Sequence, residues 1–529
     1  MSPRLLFLFL SGLAYAVESE TTPKQFKFTE NVHTFGADGP WHGIEVLIGD
    51  QPTLMIPGRS WESYVITSDY CKAVPESATC AAGAYDPSRS GKTVSELDHV
   101  TFFTQNATRG IKTTGTSRMV FDSVTLDGVG TVPDHTLALI ENESQMLEYP
   151  NGKRYPITTG CLSLGSLAPQ SIFWTPDKKL IDVDVGNMIA YYLANNDVIP
   201  SPSYGFHYGS ALPSSKISGS LIFGGYDRNR VIGRAGSQGS YIDGSLVLRR
   251  LAVNTFEGSA PFEMTGVQII PGKYKYSTDT GFSVRLDACS PYLTLPSDVC
   301  KGIASYLPIY HHEGLDLWLW NTSHPGYKLI VESASALTFD FDAGEWGKSI
   351  TIHVPLMQLN LTLGPPFTDE IPGMEEKEVP YFLCHSTPGD SGAWVLGRPF
   401  FQSLFIGAHF LTKQLWLAQA PGPKIPSEPD IVKIGRYDYD IESSKTKWTD
   451  TWKGVWRGLS QDEALTARGL YESTRRPPSS TGTGSGGSGG RGASQTSSPD
   501  PSLSSASTIA GSWFGKIVML ATMLAAVDL

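Results

Sequence analysis

The sequence has little of what many functional classes require. Its six cysteines, in 529 residues, show no C-x-x-C spacing and no H-E-x-x-H occurs, so zinc centres built on those patterns are not expected. No metal and no cofactor is expected. Charged residues make up only 18% of the chain, and acids outnumber bases 52 to 41 for a net charge of -11. That balance repels phosphate backbones, so nucleic acid is not an expected partner, and it fits a protein working in acid surroundings. A Gly482-x-Gly484-x-x-Gly487 spacing occurs, but in a low-complexity stretch with no strand before it, where it carries no nucleotide-binding meaning.

What is present is a turn-dense chain. Fifty-four glycines and 36 prolines punctuate short runs rich in Val, Ile, Thr, Tyr and Phe, the composition of an all-β protein. Helices are expected only near Asp184 to Asn195 and Pro296 to Tyr306, where capping or N1-type residues open short periodic runs.

The ends carry address signals. Arg4, the apolar run Leu5 to Leu13 and the small-x-small site Ala14-Tyr15-Ala16 predict a secretory signal over 1–16. At the other end, 477–508 is a Ser/Gly/Pro linker unable to bury a core, and 517-IVMLATMLAAV-527 is an apolar tail of eleven residues. That length is too short for roughly 30 Å of hydrocarbon at about 1.5 Å per residue. Small residues, a spacer and a terminal tail over 509–529 read as a glycosylphosphatidylinositol signal cleaved near Ser504, the alternative being a weak single span from Trp513. The expected location is the outer face of the plasma membrane or the cell wall, with membrane contact through the lipid anchor.

Export frames the cysteines and asparagines. Cys71 and Cys80 are close enough to close a short loop, and Cys300 with Cys384 would pin a long one. Cys161 and Cys289 are left either to pair or to stay as buried thiols. Sequons at Asn106, Asn142, Asn321 and Asn360 place surface loops if glycosylated.

Two segments then look like halves of one site. In 53-TLMIPGRSWESYVI-66 and 284-VRLDACSPYLTLP-296 an apolar strand, a tight turn and a second strand recur, each followed later by an apolar-apolar-Gly segment, 161-CLSLG-165 and 394-WVLGRPFF-401. Together with 41-WHGIEVLIGDQPTLMIPG-58, 85-YDPSRSGKTV-94, 217-ISGSLIFGGYD-227 and 395-VLGRPFFQSLFIGAHFLTKQLWLAQA-420, these motifs resemble the pepsin-like aspartic peptidases, of the fungal-type secreted and lipid-anchored kind, over roughly residues 40 to 420. The resemblance implies a bilobal fold with an N-terminal segment 17–40, lobes over 41–232 and 233–420, and a Trp-rich extension over 421–476.

The same resemblance shows departures. The family carries D-T-G-[ST] in each lobe, two carboxylates sharing a proton so that one activates water and the other protonates the carbonyl. Here the first loop reads Ile56-Pro57-Gly58-Arg59 and the second Asp287-Ala288-Cys289-Ser290. Only Asp287 remains as a catalytic acid, Ile56 marks the degenerate position, and Gly58, Arg59, Thr113 (at the family's flap tyrosine) and Ser290 are the expected cleft residues. Arg59 is expected either to pair with Asp287 across the floor or to turn to solvent. Asp50 and Asp69 should not reach the site, and 17–40 is short for an inhibitory pro-segment.

The leading expectation is a pseudopeptidase binding a peptide, a protein segment or a cell-wall component in the retained cleft. One alternative is an active or weakly active aspartic endopeptidase using Asp287. Another is a structural cell-wall protein. The serine-nucleophile pattern 389-GDSG-392 reads as a turn match, because it runs straight into the closing strand, and His311-His312 reads as a solvated loop pair. Trp448, Trp452 and Trp456 recur every four residues, predicting a helical stripe packed on the domain or, with Lys447, Lys453 and Arg457, laid on a membrane or wall surface.

Overall fold

A computed structural model describes residues 21–26, 28, 37–58, 63–74, 80–90, 97–101, 112–149, 152–165, 171–174, 180–183, 188–239, 245–270, 281–342, 349–375, 377–387 and 394–475. Strands dominate, and helices are few and short, as an all-β chain requires. Among the described residues no helix is long and apolar enough to cross a membrane.

The sheets follow from burial pattern. Ile44–Ile48 alternates, with Ile44, Val46 and Ile48 inward and Glu45 and Leu47 outward, so this strand has one wet face. By contrast Ser63–Ile66, Gly160–Ser163 and Leu293–Pro296 are buried at every position, as strands covered on both faces must be. These inner strands build the same pattern twice. In the first half β1 (Gln51–Gly58), β2 (Ser63–Ile66), β3 (Gly130–Ile140) and β4 (Gly160–Ser163) lie in the order β1-β4-β2-β3. Their pairings are parallel, antiparallel and parallel in turn. In the second half β5 (Phe282–Leu286), β6 (Leu293–Pro296), β7 (Cys384–Thr387) and β8 (Val395–Leu396) lie in the order β5-β8-β6-β7, with the same sequence of pairings. Each set sits inside a seven-stranded sheet.

A six-stranded sheet joins the halves. Ser203–His207 from the first pairs antiparallel with Leu404–His409 from the second, with Gly205 opposite Gly407. Tyr204 and Trp416, on strands of this sheet, are fully buried, as is Trp394, whose ring packs on Phe282.

The two expected helices fall at Ile189–Asn195 and Ser297–Ala304, with residues 184–187 outside the described set, and Ser68–Ala73 and Gly326–Glu332 are further short helices that the sequence reading did not expect. Pro296 takes the N-cap position, one residue earlier than N1. His311 and His312 lie on a strand, Ile309–His312, not in a loop, and His311 Nε2 sits 2.8 Å from Asp316 Oδ1. The 389-GDSG-392 segment lies outside the described residues.

The Trp-rich extension corrects the expected stripe. Trp448–Trp452 is a short 3-10 turn, and a separate helix, Gln461–Arg475, starts later. Its start is a capping box: Glu463 N donates to Ser460 Oγ at 3.3 Å while Ser460 N donates to Glu463 Oε2 at 2.9 Å. All three tryptophans are buried. Trp448 meets Phe256 and His353 with ring centroids 4.9 and 4.8 Å away, and Trp452 stacks on Trp456 at 5.5 Å. They pack on the second half, so their rings offer no face to a membrane.

Candidate functional site

The site grows from the ends of β1 and β5. Strand β1 runs through Ile56 and Pro57 to Gly58, with Gly58 paired to Ser163 of β4 and its carbonyl accepting Leu164 N–H at 2.9 Å. Ile56 is 2% exposed and belongs to the main hydrophobic core. At the matching place β5 stops at Leu286 and Asp287 opens a turn. Its Oδ1 accepts Cys289 N–H at 3.0 Å, and its carbonyl accepts Ser290 N–H at 3.0 Å. A side chain that bonds its own backbone two residues on is what fixes this turn.

Asp287 is itself 3% exposed. The two loops touch. Cys289 Sγ lies 3.8 Å from the Ile56 carbonyl oxygen, and a Cβ placed on Gly58 would fall 3.1 Å from Asp287 Oδ1 and 3.2 Å from Cys161 Sγ. Only glycine lets the first loop come this close.

Between them runs a covalent bond that the sequence left open. Cys161 on β4 and Cys289 beside Asp287 form a disulfide with their Cα atoms 5.9 Å apart, across 128 residues of chain. Cys71–Cys80 and Cys300–Cys384 form the other two, so among the described residues no cysteine is free. Together the two strand ends present an isoleucine carbonyl, a glycine backbone, one buried carboxylate and a disulfide.

Other expected residues are placed as follows. Arg59 and Ser504 lie outside the described residues, as does Asn106. Thr113 ends the two-residue strand Lys112–Thr113, which pairs with Met146–Glu148. Ser290 is fully buried, and its carbonyl accepts Arg398 N–H at 2.8 Å. Asn142 and Asn321 are exposed, whereas Asn360 is half-buried and its Oδ1 accepts the Tyr327 hydroxyl at 3.1 Å. Asp50 is exposed in a turn, and exposed Asp69 bonds Lys72 at 2.8 Å, so neither supplies a second acid. Among the described residues no group of three or more His, Cys, Asp or Glu side chains could hold a metal ion.

A pocket opens beside the disulfide, walled by Cys289 and Pro291 on one side and by Tyr149, Tyr155 and Phe367 on the other. The three rings pack mutually, Tyr155 and Phe367 having centroids 4.6 Å apart. Tyr149 Oη and Tyr292 Oη are 2.7 Å apart, tying the halves together. Burial holds both phenols well above their ordinary pKa. Sequence reasoning missed the polar pair in this wall, Asp38 and Arg398, each 8% exposed. Trp41 Nε1 donates to Asp38 Oδ1 at 3.0 Å, and Arg398 lies over the Trp41 ring, 5.0 Å from its centroid. Burial raises the Asp38 pKa, opposed by the Arg398 charge. The signal was available: an arginine inside the apolar run 394-WVLGRPFF-401 has few places to go except inward.

Compared with known proteins, the chain matches no family model and no curated protein.

Proposed function

We propose that this chain is a bilobal, pepsin-like aspartic peptidase homologue that binds a peptide or wall-derived ligand in its cleft and does not hydrolyse it. The observation that supports the reading is the twice-built strand order, in which β1 ends in Ile56-Pro57-Gly58 and β5 ends just before Asp287, with a disulfide beside them; the resemblance sets Ile56 against Asp287. Hydrolysis by this family's chemistry needs one group to take a proton from water while a second gives one to the leaving side. An isoleucine does neither. Asp287, with Cys289 N–H on one oxygen and the Gly58 backbone packed against it, is built into the floor.

Secretion and a lipid anchor at the outer surface belong to this proposal, supported by the residue patterns at the two ends of the chain. Release of the protein from membranes by a phosphatidylinositol-specific phospholipase supports the anchor; finding Leu529 in the mature protein rejects it.

The deciding experiment is digestion of a peptide library by the purified protein across about pH 2.5 to 7, beside Asp287→Asn, with binding measured on the same peptides. Binding without cleavage supports the reading. Cleavage that Asp287→Asn abolishes would overturn it in favour of an endopeptidase working with one acid. Neither binding nor cleavage would leave a structural wall protein.

A further inference from the structure

Arg398 has an unusual position for a charge. It begins the short helix Arg398–Phe401, directly after β8, so its backbone is fixed by the Ser290 carbonyl and its side chain is directed into the wall between the halves. There the guanidinium has the face of Trp41 and, at 3.4 Å, the Cys289 carbonyl. Its buried Nε has no hydrogen-bond partner among the described residues. Asp38 lines the same pocket and feels the Arg398 charge, but its carboxylate is bonded to the Trp41 indole and, among the described residues, the two side chains do not come within ion-pair distance. A buried guanidinium with an unused donor is costly unless something supplies an acceptor. Tyr149, Tyr155 and Phe367 pack their rings together in the same wall, and although Thr158 and Thr159 also line the pocket, neither bonds the Arg398 side chain among the described residues.

We propose that this pocket binds a carboxylate carried by a peptide, with Arg398 as the charge that recognises it and the Tyr149–Tyr155–Phe367 wall holding an apolar neighbour. The inference rests on the reading of the cleft as a binding site and gives that site a ligand class. A planar guanidinium donates in a fixed fork matched to a carboxylate, which a lysine could not copy. Buried and walled by rings, the contact is screened little by salt, so it discriminates an acid from its amide rather than merely steering charge. The carboxylate can come from a chain end or from an acidic side chain.

The test uses three probes that contain no bond between internal residues longer than a dipeptide: N-acetylphenylalanine, N-acetylphenylalanine amide and N-acetyl-glutamyl-phenylalanine amide. Each is titrated into the full chain by calorimetry. The acid is expected to bind at least about tenfold more tightly than its amide, the scale of one charged hydrogen bond. Preference for the first probe assigns a chain end, and preference for the third an acidic side chain. Arg398→Gln should erase the difference between acid and amide. Should that variant fail to fold, Thr158→Trp answers the same question, since Thr158 lines the pocket from a half-buried position and a larger side chain there fills it with Arg398 in place. Equal binding of acid and amide, or an acid preference that survives either variant, overturns the assignment. Binding of neutral peptides with no acid preference removes only the role of Arg398, whereas library cleavage removes only the non-hydrolytic reading.

Discussion

Gly58 and Asp287 meet across the two halves so closely that a single methyl group on the glycine would stand 3.1 Å from the carboxylate Oδ1 and press into the neighbouring disulfide. The contact joins the strand end Ile56-Pro57-Gly58 to the turn that carries Asp287, and the expected behaviour of the protein follows from that junction.

Peptide hydrolysis should fall below that of a two-carboxylate enzyme by roughly four to six orders of magnitude, the scale of losing one member of a group that acts together. Ile56→Asp alone should not restore it. Pro57, Ala288 and the Cys161–Cys289 bond would still misplace the pair, and a displacement near 1 Å costs about a hundredfold. Single-turnover assays on both proteins check this.

Gly58→Ala should disturb the floor more than its size suggests. The added Cβ has Cys289 Sγ and Cys161 Sγ in its way. The expected result is incomplete formation of that disulfide and a loss of about 2 to 5 kcal/mol, as for removing a native bridge. Thiol counting by mass spectrometry and urea unfolding of the same sample measure the two effects.

Acid should weaken the fold. Burial, with Arg230 adding to it, lowers the His207 pKa to about 3, and burial lowers that of His353 to about 4. Both rings are neutral when folded, whereas in the unfolded chain they take up a proton below about pH 6.5. Stability is therefore complete above pH 6.5 and is lost as pH falls toward 3 to 4. His207 alone should cost about 2 kcal/mol at pH 5. His207→Asn or His207→Gln should flatten part of the slope in a series of denaturant unfolding curves between pH 7 and 4.5.

Trp452→Ala should cost about 3 to 5 kcal/mol, because the ring is 1% exposed and stacks on Trp456. Thermal unfolding reads this. Flotation with anionic vesicles should be the same for the natural chain and for Lys447→Gln/Lys453→Gln, since the tryptophans beside those lysines are turned inward.

The all-β character and the recurring apolar run, turn and apolar run were readable from the sequence because both are local and need only neighbours along the chain. The twice-built strand order gave physical form to the repeat seen between 53–66 and 284–296. What could not be read was non-local. Cys161 and Cys289 are 128 residues apart, and spacing alone does not choose between a bridge and two thiols. Trp448, Trp452 and Trp456 have helical spacing, yet packing against Phe256 and His353 holds them in a 3-10 turn and a loop, tertiary contact outweighing periodicity. His311 and His312 looked like loop residues because polar, but a hairpin to Leu317–Trp320 gives them strand partners. Asp38 and Arg398 are 360 positions apart in the chain and share a wall only once the halves have met.

The Cys161–Cys289 bond also records the order of assembly. One sulfur belongs to the last inner strand of the first half, the other to the first turn of the second, so neither half can oxidise this pair by itself. Cys71–Cys80 and Cys300–Cys384 each close within one half and need no docking. During synthesis the first bridge can form early, the Cys300–Cys384 bridge once its own half is complete, and the central one only after the two sheets have come together in register. A molecule with its two local bridges made and its central pair reduced is thus one halted between folding and docking, and an oxidising compartment would mark finished molecules by a single covalent bond.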